Sequence, residues 1–283
     1  MALVLFDYET KSGYNLSDVG RHKYFSHPDA DLICMSYSIG LEGKTKLWLP
    51  GNAPPFEFLE PSQHTFMALN IQFDSLAAAT VGQYRHGFRP IPYENQIDLM
   101  AIASRLGLPR SLDGLGAACG IALPKLKTGK ALKNIFCSPP YCDPKKSQAD
   151  NLVLKRSFYE YGIRDTDAMK QIVRELPIDH LPAAEQEIWI GNCRMNAIGV
   201  PVDTKGATAI KKVVFDYLDR RTAEIPVLTD GAINTIGQTK KMKEWAGEAG
   251  VFMDDFTALT VSRTIDRLES EGVPHGTPKH KVL

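Results

Sequence analysis

Four acidic side chains in three short stretches carry the chemistry this sequence can offer: Asp7 and Glu9 in LVLFDYET, Asp74 in LNIQFDS, and Asp165 in YGIRDTD. Carboxylates gathered in a low-dielectric pocket repel one another, so a fold that gathers them needs a neutralising partner. Divalent cations that prefer oxygen ligands, Mg2+ or Mn2+, fit that need, and a pair of them suits in-line displacement at phosphorus. On a strand, residues two apart share a face, so Asp7 and Glu9 aim both carboxylates at one ligand. The apolar run before them argues against a merely solvated strand end, because a buried strand does not close on two acids without a partner. Asp74 stands where a helix begins after a short strand, and N-capping is its competing role. Asn70 and Phe73 accompany it in the spacing N-x-x-F-D. Tyr161 and Asp165, four apart, put a phenol and a carboxylate on one helix face. Tyr14 and Asp18 have the same spacing, so the pattern alone is not diagnostic.

The elements that must position these groups follow from periodicity. Residues 2–6 form a continuous apolar run ending in an acid, the mark of a central buried strand. Residues 32–39 and 45–49, split by GLEGK, read as a hairpin beside it. Residues 65–69 form a short strand that leads into the helix begun by FDSLAAATVGQY, and 91–99 hold one more strand before the helical MAIASRLG. Ser111 is a fitting N-cap for LDGLGAACG. Residues 125–146 are basic, proline-rich and irregular, whereas 151–161, 164–176 and the stretch opened by Pro182 have helical spacing. This describes an α/β domain over residues 1–200. Residues 201–283 read as a small all-helical appendage without clustered acids.

Composition bounds the partners. The 283 residues carry 33 Lys and Arg against 33 Asp and Glu, so bulk charge neither supports nor excludes nucleic acid. The five cysteines lack CxxC or CxxH spacing, which argues against zinc and for reduced thiols in a cytoplasmic protein. No apolar run reaches membrane-span length, so no membrane partner is expected. Lys125, Lys127, Lys130 and Lys133 form a basic patch that reads either as a solvated loop or as a phosphate-contacting track for a single strand. Lys127-Thr-Gly-Lys130 is not a P-loop, since the required earlier glycine is missing.

The order of the three acidic clusters resembles the three motifs of the DnaQ-like (DEDD) exonucleases, tyrosine subtype. ETKSGYNLSDVGRHKYFSHPDADLICMSYSIG, KTGKALKNIFCSPP and PAAEQEIWIGNCRMNAIGVPVD narrow the resemblance to the proofreading exonuclease domains of bacteriophage family A DNA polymerases, over about residues 1–203. The tail, with GQTKKMKEWAGEAGV, is similar to the start of a polymerase thumb, and no palm or fingers motif follows. The resemblance implies a ribonuclease H-like mixed five-stranded sheet flanked by helices. It implies 3′→5′ hydrolysis of single-stranded or frayed DNA ends, in the host cytoplasm, with two divalent ions. Asp7, Glu9, Asp74 and Asp165 would hold the ions and Tyr161 would orient the attacking water. Thr10, Tyr14, Asn70, Phe73, Lys127, Lys130 and Arg164 are the candidate substrate contacts. A DNA polymerase module in cis or in trans is the expected partner. Leu69 stands where many relatives have a histidine. The rival readings are a ribonuclease of the same superfamily and a nuclease-dead accessory module docking a polymerase.

Overall fold

The structure is a computed structural model that describes residues 2–121, 129–176 and 181–274. Strand β1, Leu3–Lys11, is the centre of the sheet. Side chains alternate along it, so Phe6 and Tyr8 face one way while Asp7 and Glu9 face the other. Phe6 meets Tyr8, Phe58 and Phe66 edge-to-face, with ring centroids 5.6, 5.3 and 5.9 Å apart. Truncating a buried phenylalanine of this kind costs about 3–5 kcal/mol. A one-residue slip of β1 would put these rings in the acids' place, so aromatic packing fixes where the carboxylates point.

Strand β2 (Asp31–Ile39) pairs antiparallel with β1, and β3 (Lys46–Trp48) lies outside it. On the other side, β4 (Thr65–Ala68) and then β5 (Gln96–Asp98) run parallel. The result is the expected mixed five-stranded sheet, in the order β3-β2-β1-β4-β5. Its helices are α1 (Leu16–Phe25), α2 (Ile71–Ala77), α3 (Leu99–Arg105), α4 (Leu112–Ala118), α5 (Gly129–Phe136), α6 (Gln148–Glu175) and α7 (Ala183–Ile198).

Three expectations need correction. The segment read as irregular contains α5, whose Leu132 and Phe136 pack with Ile33 and Phe158. The two helices read on either side of Gly162 are one 28-residue helix, α6. The strand read over 91–99 shrinks to three residues, and Asp98 caps α3 by accepting from Met100 N at 2.9 Å.

Helix α6 is stapled to the sheet by polar contacts within an apolar layer. Ser36, opposite Asp7 in the ladder, donates from Oγ to the Gly162 carbonyl at 2.8 Å and lies 2.7 Å from Thr166 Oγ1. Both residues are buried. Replacing Thr166 with the near-isosteric valine removes a partner without opening a void, and is expected to cost about 1–3 kcal/mol. A lower urea midpoint at unchanged m-value would register it; an unchanged midpoint would show the staple carries no stability.

Residues 1–199 form one compact unit and 200–283 another. The second contains α8 (Thr204–Leu228), α9 (Thr239–Glu248) and α10 (Ala258–Ser270), with a small core of Ala246, Val251 and Leu268. Asp203 caps α8 by accepting from Gly206 N at 2.9 Å. No helix among the described residues is long and apolar enough to cross a membrane.

Candidate metal centre

The sheet opens beside β1 because its two neighbours differ in length. It pairs with β2 as far as Lys11 but with β4 only from Leu3 to Leu5. Past that point the β4-facing edge of β1 has no strand partner among the described residues, and a buried N–H left alone there is costly. Asp74 supplies the partner: its Oδ1 accepts from Tyr8 N at 3.0 Å. Asp74 therefore lies inside α2 with its carboxylate turned to the sheet, and the capping role fails. Asn70 holds the N-cap position, without a side-chain cap bond. The gap is the kind of crevice in which open α/β sheets take ligands.

From the opposite side, α6 brings Tyr161 and Asp165 over β1. Asp7, Glu9 and Asp165 each offer an oxygen within 4.8 Å of the other two. Burial raises the Asp7 pKa to about 7, with Lys133 opposing and Asp165 adding. Burial likewise lifts Glu9 to about 8, Lys133 opposing, Asp7 and Asp165 adding. Asp74 is held well above the ordinary carboxylate range by burial and the charge of Asp7, against the Tyr8 N–H bond. Asp165 is raised by burial, partly offset by the Tyr161 hydroxyl and Lys133. All four acids thus feel one crowded low-dielectric environment.

Glu9 decides whether these acids fit a divalent ion. Its Oε1 is buried and, among the described residues, has no closer polar partner than Lys133 Nζ, at 3.5 Å. An acceptor-only oxygen in that condition, clustered with two other carboxylates, matches the hard oxygen donor set of Mg2+ or Mn2+. The residues present fit such an ion.

Raised carboxyl pKa values give stability a definite pH slope. Between the ordinary carboxylate pKa, about 4, and the raised values, the folded protein holds protons that the unfolded chain has released. The stability these two acids contribute is therefore fully present below about pH 4 and is lost as pH rises through about 7 for Asp7 and about 8 for Glu9. We expect the melting temperature of the chelator-treated protein to fall by several degrees from about pH 5 to about pH 8, and Mn2+ to reverse the fall. A flat or rising curve in calorimetry would contradict this electrostatic picture.

Two residues of the basic stretch belong to this site: Lys133, read in the sequence only as one of a basic patch, and Gly129, which the sequence did not mark. Lys133, on α5, sets its ammonium 5.0 Å from the centre of the Tyr161 ring as well as 3.5 Å from Glu9. Gly129 opens α5 so close to that ring that an added Cβ would lie 2.6 Å from Tyr161 Cε2. Only glycine permits this approach. The Tyr161 ring lies parallel to Phe158, at 4° and 6.4 Å, which in turn stacks on Phe136 of α5.

The candidate substrate contacts divide. Thr10, Tyr14, Asn70 and Phe73 line a cleft of about 360 Å³ together with Asp7, Glu9, Asp74 and Lys133. Within it Phe73 packs on Phe25 at 5.1 Å, a core contact, whereas Tyr14 is 38% exposed. Thr10 Oγ1 lies 3.1 Å from the Tyr24 hydroxyl. Arg164 does not join them: it is exposed on α6 and is not among the lining residues. Lys127 lies outside the described residues; Lys130 belongs to α5, with its side chain outside them.

No family model matches the chain. It is similar to a protein named DNA polymerase from Bacillus phage SP02, 25% identical over 299 residues that take in 100% of this chain and 43% of that protein. The chain thus spans less than half the length of the curated relative it matches.

Proposed function

We propose that this chain is a metal-dependent 3′→5′ exonuclease of the proofreading type, acting on single-stranded or frayed DNA ends and releasing nucleoside 5′-monophosphates. The observation that carries the reading is the meeting of Asp7, Glu9 and Asp165 within 4.8 Å, under a helix that also presents Tyr161. The similarity to a phage DNA polymerase favours DNA over RNA as substrate and a polymerase as partner in cis or in trans.

Asp7, Glu9, Asp74 and Asp165 would hold two divalent ions, which supply activation of water and stabilisation of the departing 3′ oxygen. Tyr161 would hold the attacking water through its hydroxyl. Burial and the charge of Asp165 raise that phenol's pKa, against Lys133, so it stays protonated and orients the water without acting as a base. Asp74 would fix the opening by its bond to the β1 backbone while offering its remaining lone pairs to the site. The exposed ring of Tyr14, with Lys23 Nζ 5.6 Å from its centre, offers a stacking face and a positive charge to the terminal nucleotides.

The test is a 5′-labelled single strand incubated with the purified chain and Mg2+. A ladder shortening from the 3′ end, with mononucleotide release, is expected, along with slower hydrolysis of the matched RNA. Internal cuts, or an intact strand, would overturn the reading.

A further inference from the structure

We propose that the Lys133 ammonium is the resident cation of the metal-free site, that divalent ions load by exchanging with it, and that the phosphodiester of the substrate strand receives it once displaced. The last clause rests on the nuclease reading above; the exchange does not.

Placement comes first. Helix α5 is anchored by Leu132 and Phe136 in an apolar cluster with Ile33 and Phe158, which sets Lys133 over the acids. Its side chain meets Glu9 Oε1 at 3.5 Å and the Tyr161 ring at 5.0 Å, and remains 45% exposed. An ammonium in that position offsets the mutual repulsion of Asp7, Glu9 and Asp165, which otherwise opposes burying all three. It does so imperfectly. A contact of 3.5 Å is long for a charge-assisted hydrogen bond, and among the described residues Glu9 Oε1 keeps no other partner. A divalent ion among three oxygens brings twice the charge and a matching donor set, so it wins the exchange.

The side chain also has somewhere to go. Lys133 lines the same cleft as Thr10, Tyr14, Asn134 and Ser138, the cleft that would take the strand. Once displaced from Glu9, its ammonium faces that cleft with no carboxylate partner, and a phosphodiester oxygen suits it. Metal and strand then bind with positive coupling through one side chain, and the coupling is reciprocal.

The experiment titrates free Mn2+ by electron paramagnetic resonance against the full chain, its K133M and K133R variants, each with and without a phosphorothioate-linked oligonucleotide. Methionine keeps the length of an exposed stem, and circular dichroism verifies the fold. K133M is expected to bind Mn2+ about tenfold more tightly than the unaltered chain, because a competing charge is gone. Its melting temperature should rise more on adding Mn2+. K133R, which keeps the charge, should stay close to the unaltered chain. The oligonucleotide should tighten Mn2+ binding by the unaltered chain more than by K133M. Equal or weaker Mn2+ binding by K133M overturns the exchange, even if the unaltered chain degrades DNA. Tighter binding by K133M in a protein that cleaves no DNA leaves the exchange standing and removes the nuclease reading instead.

Discussion

Replacing Asp7 with asparagine is expected to lower Mg2+-dependent cleavage of a single strand by roughly 10³-fold or more, because it removes a shared oxygen donor where charge must be stabilised. The size follows from its place. Asp7 acts on Glu9 and Asp74, and Asp165 acts on it, so Asp7 couples to every other acid of the cluster. The variant also carries a signature that misfolding would not produce. One charge fewer relieves repulsion in the metal-free protein, so its melting temperature without metal should hold or rise, while the stabilisation by Mn2+ should shrink. Cleavage within a fewfold of the unaltered chain, in a folded variant, would remove Asp7 from the proposed chemistry.

Replacing Tyr161 with phenylalanine is expected to reduce kcat by about 10- to 100-fold with metal affinity nearly unchanged, as for a group that positions water without binding the ion. The change is clean because the ring does the packing: it lies parallel to Phe158 and under the Lys133 ammonium, contacts that phenylalanine keeps. Only the hydroxyl is lost. Single-turnover rates at saturating Mn2+ would report the loss directly. A variant as fast as the unaltered chain would assign Tyr161 to the aromatic stack alone.

The acid pair on β1 was legible because alternation needs no tertiary information: an apolar run followed by D-x-E places both carboxylates on one face. The hairpin of β2 and β3 was legible for the same reason. Asp74 was ambiguous, since helix start and metal acid share one pattern; the short pairing of β4 with β1, which leaves Tyr8 N open, turns its carboxylate to the sheet and away from the cap. Tyr161 and Asp165 shared their spacing with Tyr14 and Asp18, and only tertiary packing separates them. Tyr14 precedes α1 and Asp18 sits in its first turn, both exposed, whereas α6 is stapled to β2 through Ser36. What the sequence hid is α5. A lysine-rich, proline-bounded stretch has weak local preference, and its helix depends on Leu132 and Phe136 finding Phe158 on the next helix and Ile33 from a distant part of the chain. Lys133 and Gly129 reach the site only through that helix, so the sequence offered Lys133 as one of a basic patch, not as a neighbour of the acids, and did not mark Gly129. Arg164 shows the converse error: adjacency to Asp165 along a helix turns a side chain about 100° away, onto the outer surface.

Anomalous diffraction from crystals of this chain grown with Mn2+ puts the account to its most direct trial. Two peaks should stand among Asp7, Glu9, Asp74 and Asp165, with the Lys133 ammonium withdrawn from Glu9. Manganese bound elsewhere, with those carboxylates free of it and Lys133 still beside Glu9 at saturating metal, would contradict it.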